Sequence, residues 1–367
     1  MTADLIAGLP DWPRSLLYNS GAGPDVSARI RSCSDDFKVD EELGFSPDGE
    51  GEHSLLKIQK RNRNTDQVAR LLARHAGVRA RDVSYCGLKD RVAITTQWFS
   101  VWLPGKADPD WSTIEDEGLK ILEQSRHRRK LQRGALEGNR FEIVLREIIY
   151  NNKGEQSDIE KRLNLVKKQG VPNYFGEQRF GRDGGNLSAA QTMFQGKKIK
   201  DRHVRGLYLS AARSFLFNEV LAERVSKNNW NTILHGEAIM LAGSRSFFVC
   251  EDVDGEINQR LEKNDIHPSG PLWGRGELST QSEAAKLEKS ILSSHTLFCE
   301  GLEKAGLKQE RRALRLSIND LQWSWLDQSE QEVDQQPNQQ AANLQLRFSL
   351  PAGAYATTVL REVFSLV

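Results

Sequence analysis

Ser84 to Gln97 reads SYCGLKDRVAITTQ, and the residues that follow it, Trp98 to Leu103, have the composition of a strand. Gly87 precedes an acid, Asp90, that lies between two fixed cations, Lys89 and Arg91. Adjacent positive charge favours the carboxylate form of an acid. The stretch therefore reads as a tight turn that feeds a strand and presents an ionised Asp90 outward at its mouth. A salt-bridged surface turn has the same composition, so the stretch by itself does not decide between structure and chemistry.

Its surroundings are basic. Leu55 to Arg91 holds ten Lys/Arg against three Asp/Glu, and Arg126 to Arg133 (RHRRKLQR) holds five basic residues and no acid, whereas Leu316 to Leu346 has acids and no Lys or Arg. The whole chain carries only +1. Basic segments concentrated in a balanced chain suit a polyanion, most often nucleic acid, although solvated helix faces look the same.

The chain has 367 residues, which exceeds the usual single-domain range, and two domains are expected. With 38% hydrophobic and 28% charged residues it has the make-up of a soluble globular protein. No run of eighteen apolar residues is present and the N-terminus lacks a secretory pattern, so a cytoplasmic location is expected. Cys33, Cys86, Cys250 and Cys299 are far apart with no CxxC pair, and the seven histidines are scattered without HxH or HExxH. That pattern argues against a disulfide framework and against a zinc cluster, and leaves open only a metal site assembled from distant residues.

Period-two alternation predicts strands over Arg29–Leu43, Ser54–Lys60, Trp98–Leu103, Phe141–Arg146 and Leu344–Leu350. Thr65 reads as the N-cap of a helix over Asp66–Ala76 that Gly77 stops, and Val68, Leu71, Leu72 and His75 share its face. Asp110–Gln124 reads as helix or loop, and Glu155–Lys168 as an amphipathic helix. Residues 1–27 read as an irregular lead-in. From about residue 186 to 315 the pattern is mostly helical, Leu207–Lys227 most clearly. The Gln-rich connector Asp327–Asn343 has no periodicity and reads as a surface loop. Strands with interleaved helices imply an α+β catalytic domain, and a final strand like the earlier ones makes the helical region an insertion.

Four further segments are dense in chemistry. GNRF (Gly138–Phe141) puts an amide and an aromatic at the start of a strand. VPNYFGEQRFGRDGGN (Val171–Asn186) combines four glycines, three aromatics and two arginines, a mix able to approach a phosphate backbone and stack on bases. HPSGPLWGRG (His267–Gly276) reads as a rigid turn, and FSLPAGAYATTVLRE (Phe348–Glu362) as a strand joined to a capped helix.

Together with FKVDE (Phe37–Glu41), DGEGEHSLLKIQK followed by Asn64–Thr65, and LSAARSFLFN (Leu209–Asn218), these segments resemble the TruD family of tRNA pseudouridine synthases, in family order over nearly the whole chain. The departures, the Gln-rich insertion near residue 335 and the stop soon after Leu360–Glu362, touch no motif. The resemblance implies a mixed, largely antiparallel pseudouridine-synthase sheet flanked by helices. Residues 1–166 and 323–367 would form the catalytic domain and 167–322 an inserted helix-rich α+β domain. It implies isomerisation of uridine to pseudouridine in tRNA, at uridine 13, by a cytoplasmic monomer that uses no cofactor or metal. Asp90 matches the catalytic acid of the family's KDxxAxTxQ motif. It would attack C1′ of the ribose or deprotonate C2′; both remain open. Phe141 and Phe348 match the family aromatics and would stack on the base. Asn139 would bind the acid or the base edge, Arg31 would partner Asp90, Lys89 would support the fold or the RNA, and Glu41 would support the structure or contact substrate. A non-catalytic tRNA-binding or chaperone protein on the same scaffold is the alternative. An RNA methyltransferase lacks its glycine-rich cofactor loop here.

Overall fold

The computed structural model describes residues 9–15, 26–132, 134–150, 155–318, 320–326 and 342–367. Strands β1 (Val26–Arg29) and β2 (Phe37–Leu43) come first, separated by a 3₁₀ turn at Ser34–Asp36. β3 (His53–Arg61) leads into α1 (Thr65–His75), and β4 (Val83–Tyr85) into β5 (Ile94–Trp102). β6 (Leu119–His127), β7 (Leu136–Tyr150), α2 (Gln156–Gln169) and β8 (Val171–Pro172) follow. Then come α3 (Gly185–Phe194), α4 (Arg202–Ser226), β9 (Glu237–Leu241), β10 (Phe247–Cys250), α5 (Gly255–Glu262) and β11 (Ile266–Leu272). α6 (Ser282–Leu292), α7 (Thr296–Lys304), β12 (Glu310–Ala313), β13 (Arg315–Leu316) and β14 (Gln322–Leu326) precede β15 (Ala342–Pro351), α8 (Ala356–Leu360) and β16 (Ser365–Leu366).

These elements form two compact units, each assembled from three stretches of chain. A sheet unit takes Asp25–Asp158, Ile318–Ala356 and Phe364–Val367; a helical unit takes Met1–Pro24, Ile159–Ser317 and Thr357–Val363. The fold class is α+β, with a mixed and largely antiparallel main sheet.

The main sheet of the sheet unit runs β14-β15-β7-β2-β5-β3-β6, with β1, β16 and β4 attached at its margins. Along this path only β2 and β5 pair in parallel. Alternation decides which face is covered: Leu56 and Ile58 of β3 and Phe99 of β5 pack with Val68 and Leu72 of α1.

In the sheet unit four sequence expectations change. The stretch Arg29–Leu43 is not one strand, because Arg31 takes a left-handed φ of 59° that ends the extended run between β1 and β2. The strand expected at Trp98–Leu103 begins earlier, at Ile94. Asp110–Gln124 contributes an edge strand, β6, after a 3₁₀ turn. The cap of α1 is Asn64, whose backbone N–H donates to Gln67 Oε1 at 3.2 Å; Thr65 is inside the helix.

The helical unit also holds a four-stranded antiparallel sheet, β10-β9-β11-β12, so the region is less helical than its pattern suggests. Its HPSGPL segment is the central strand β11 and not a turn. Of the residues 1–27 lead-in, only 9–15 and 26–27 are described, and the Gln-rich connector lies outside the described residues except for its last two positions. Among the described residues no helix is long and apolar enough to cross a membrane.

Candidate active site

Five strands align the floor of the site. Their register places Phe348, Phe141, Val39, Thr95 and Lys60 in one row across β15, β7, β2, β5 and β3. Two residues along the same strands, and so on the same face, lie Leu350, Asn139, Glu41, Gln97 and Ile58. A sequence period of two thus delivers an aromatic pair, an amide, an acid and a lysine to one side of one sheet.

The loop that bears Asp90 is tied down before the acid and at the acid itself. Before it, the Lys89 backbone N–H donates to Thr65 Oγ1 at 3.1 Å, the Thr65 hydroxyl donates to Gln97 Oε1 at 3.0 Å, and the Gln97 amide donates to the Gly87 carbonyl. At the acid itself, Lys60 Nζ donates to the Asp90 carbonyl at 3.2 Å and to the Arg63 carbonyl at 2.8 Å. Lys60 is only 1% exposed, and burial is the main cause that pulls its amine down to about 8; the Asp90 charge opposes the shift and Lys89 adds to it.

Lys89 and Asp90 are adjacent but their side chains part. Lys89 Nζ donates to Asn139 Oδ1 at 2.7 Å and lies 3.3 Å from Glu41 Oε1. Glu41 Oε2 accepts from the Trp98 backbone N–H at 2.7 Å. Burial raises the Glu41 carboxyl, while Lys89 and the Trp98 N–H pull against that shift. Asp90 turns the other way and stays open, its side chain 45% exposed, with Oδ2 at 2.7 Å from Arg31 Nη2. The Arg31 guanidinium also covers the Phe37 ring at 4.3 Å, and its Nε is buried without a partner among the described residues. A left-handed φ at a non-glycine residue stores about 1–3 kcal/mol and recurs where a side chain must be aimed.

Phe141 stacks on Phe348 with ring centroids 5.4 Å apart and meets Phe37 edge-on at 6.3 Å. Phe141 is 7% exposed and Phe348 1%, so Phe348 backs Phe141 and offers almost no surface of its own. The Thr95 hydroxyl in the same row is buried without a hydrogen-bond partner among the described residues.

Asp90, Arg31, Lys89, Asn139, Phe141, Phe348 and Glu41 are thus all placed in the sheet unit, with Asp90 and Arg31 in one ion pair and Lys89, Glu41 and Asn139 in another cluster. Sequence reasoning gave Lys60, Thr65 and Gln97 no part in the site; the signal for them was a lysine at an apolar-phase position of β3 and the polar ends of the NT and TTQ segments.

Several residues of the two basic segments meet acids. Arg61 pairs with Asp35, Arg63 with Asp116, Arg126 with Asp108, His127 with Asp48 and Arg128 with Glu50. The aromatics of VPNYFGEQRFGRDGGN are core residues: Tyr174, Phe175 and Phe180 are buried, and Tyr174 and Phe180 pack on Trp12. Among the described residues no group of three or more His, Cys, Asp or Glu could hold a metal ion.

The family model for tRNA pseudouridine synthase D matches residues 17–199 and 190–363. The chain is 50% identical over 352 residues to the tRNA pseudouridine synthase D of Nitrosococcus oceani, across 95% of this chain and 94% of that one. It is 50% identical over 336 residues to that of Methylococcus capsulatus, across 91% and 90%. A Methanosarcina mazei structure titled as a TruD protein superposes with a TM-score of 0.68 at 22% identity over 94% of each chain, a likeness of fold.

Proposed function

The chain belongs to the tRNA pseudouridine synthase D (TruD) family, and we propose that it isomerises uridine to pseudouridine in tRNA, at uridine 13, with Asp90 as its catalytic carboxylate. The sheet unit is the catalytic domain in this reading, and the protein works as a cytoplasmic monomer. The observation that carries the proposal is an open carboxylate held 2.7 Å from a guanidinium whose backbone is strained to reach it.

The reaction breaks the C1′–N1 glycosidic bond and forms a C1′–C5 bond, so it needs no redox partner. Asp90 either displaces uracil from C1′ or removes the C2′ proton to leave a glycal. Uracil turns in place and rejoins through C5, which expels Asp90 from C1′ on the first route or returns the proton from Asp90 to C2′ on the second. A base then removes the C5 proton and N1 takes up a proton. Arg31 holds the carboxylate in position and spreads its charge. Extrusion of the uridine from its stack costs a few kcal/mol, and a face of Phe141, braced by Phe348, returns about 1–3 kcal/mol by stacking. Asn139, oriented by Lys89, presents its amide N–H₂ toward a base edge, since its oxygen is already taken by the lysine.

Unmodified tRNA transcript is incubated with the parent protein and with Asp90→Asn, and pseudouridine is read by carbodiimide-blocked primer extension. Product with the parent only is expected, and none from a transcript with cytidine at position 13. No product with either protein, but retained tRNA binding, would establish the non-catalytic alternative.

A further inference from the structure

The 25-residue helix α4 buries nothing before Leu209. In its first two turns Arg202, His203, Arg205 and Leu207 are exposed, and just ahead of them Lys197, Lys198 and Lys200 are exposed on the loop that follows α3. Between Leu187 and Leu209 there is a single acid, Asp201. Its carboxylate is committed to the helix itself, accepting from the His203 and Val204 backbone N–H groups at 2.7 and 3.1 Å. Among the described residues, Lys197, Lys198, Lys200, Arg202 and Arg205 have no side-chain hydrogen bond or ion pair.

Several basic residues elsewhere are ion-paired. Arg61, Arg63, Arg126 and Arg128 each meet an acid, and within the helical unit Lys227 pairs with Glu223, Arg260 with Asp265 and Lys304 with Glu300. Five like charges within nine residues repel one another, and here the fold supplies no counter-charge. Phosphates do so, and lysine heads on flexible stems suit them as point charges that carry no base information.

We propose that Lys197, Lys198, Lys200, Arg202 and Arg205 form a phosphate-binding surface for the RNA backbone. The proposal rests on the tRNA reading above and adds where the helical unit grips the substrate. The contact is sequence-independent and set by salt: each phosphate neutralised steepens the fall of log affinity with log salt by about 0.7–0.9.

The test is tRNA binding by filter retention across a potassium chloride series, with pseudouridine formation measured in parallel. The triple variant Lys197→Gln/Lys198→Gln/Lys200→Gln is compared with the parent and with Lys227→Gln/Lys304→Gln, which removes ion-paired lysines of the same unit. Because all of these side chains are exposed, the variants should keep the parental Tm. The triple variant is expected to bind more weakly, to lose about 2–3 from the salt slope and to raise KM for tRNA. The paired-lysine control should keep the parental slope. Parental slope and affinity in the triple variant overturn the proposal, as does an equal loss in the control or a preference of the patch for anionic vesicles over RNA. A parent that forms no pseudouridine defeats the functional reading instead, and the salt slopes then decide this proposal alone.

Discussion

Lys60 Nζ bridges two main-chain carbonyls, that of Asp90 at 3.2 Å and that of Arg63 at 2.8 Å. The Asp90 backbone is therefore pinned from the sheet side by a buried amine. Lys60→Met keeps the stem and removes both bonds. We expect kcat to fall roughly 10–100-fold with a smaller change in KM, since a displaced reactive group costs about that much. Parental kcat in a folded Lys60→Met protein would show that the amine serves packing only.

Lys60 also gives stability and activity opposite pH trends. Its amine is lowered from 10.5 to about 8 in the folded chain. Between these values the unfolded chain holds the proton that the folded chain has released, so stability rises with pH there. Activity should fall over the same window as the ammonium loses its charge and its grip on Asp90 weakens. Melting curves of the parent, read against Lys60→Met from pH 8 upward, should show the parent gaining Tm on the variant. A parent that loses ground would mean the amine keeps its proton.

Arg31→Gly separates aim from architecture. Glycine takes a φ of 59° without strain, so the change removes the guanidinium and relaxes the backbone together. Stability should stay within about 1 kcal/mol of the parent. Product formation should fall about 10–100-fold, the worth of one charge-assisted hydrogen bond of roughly 1.5–3 kcal/mol. A large loss of Tm with normal turnover would make Arg31 a structural residue.

The two stacked rings should respond unequally. Phe141→Leu and Phe348→Leu are both near volume-conserving, and each should cost less than about 1.5 kcal/mol in stability. Phe141 is the more exposed of the two, at 7% against 1%, so in the proposed reading its variant should lose more turnover while tRNA affinity changes little. Equal losses of turnover would place both rings in a support role.

Lys89→Met strands Glu41 in a buried site. Loss of one partner of such a pair costs roughly 3–5 kcal/mol. Burial already raises the Glu41 carboxyl, and without Lys89 it rises further. A raised acid is favoured in its protonated form by the folded chain, so the deficit of Lys89→Met should be largest at neutral pH and shrink in acid. Denaturant midpoints across that range check the trend, and Glu41→Gln added to Lys89→Met should recover much of the loss.

The acid's own motif and the strands with strict alternation were legible because their signals are local. Phe141, Ile143 and Leu145 announce β7 without help from the rest of the chain. β6 was not legible: Leu119, Ile121 and Glu123 alternate with Lys120, Leu122 and Gln124, so an edge strand half in water shows no clean phase. β9 and β12 hide behind Glu237 and Arg311, charges that are buried because each meets an opposite charge, Arg224 and Glu288. Lys60 belongs to the site through the register of five strands, which no window of sequence contains. Asp35, Asp48, Glu50, Asp108 and Asp116, which pair with five residues of the basic runs, likewise arrive from other segments.

β7 acquires its β15 neighbour late. About 200 residues of chain separate Phe141 from the Phe348 that braces it. At roughly 5–20 residues per second, a ribosome takes about 10–40 s to cover that distance. Throughout that interval the nascent chain carries Asp90, Arg31 and Lys60 while the edge of β7 that β15 will pair stays open. Translation pauses in the region that encodes the helical unit should therefore lengthen the exposure of that edge to chaperones, and the enzyme's yield in the cell should depend on elongation rate more than its folded stability would suggest.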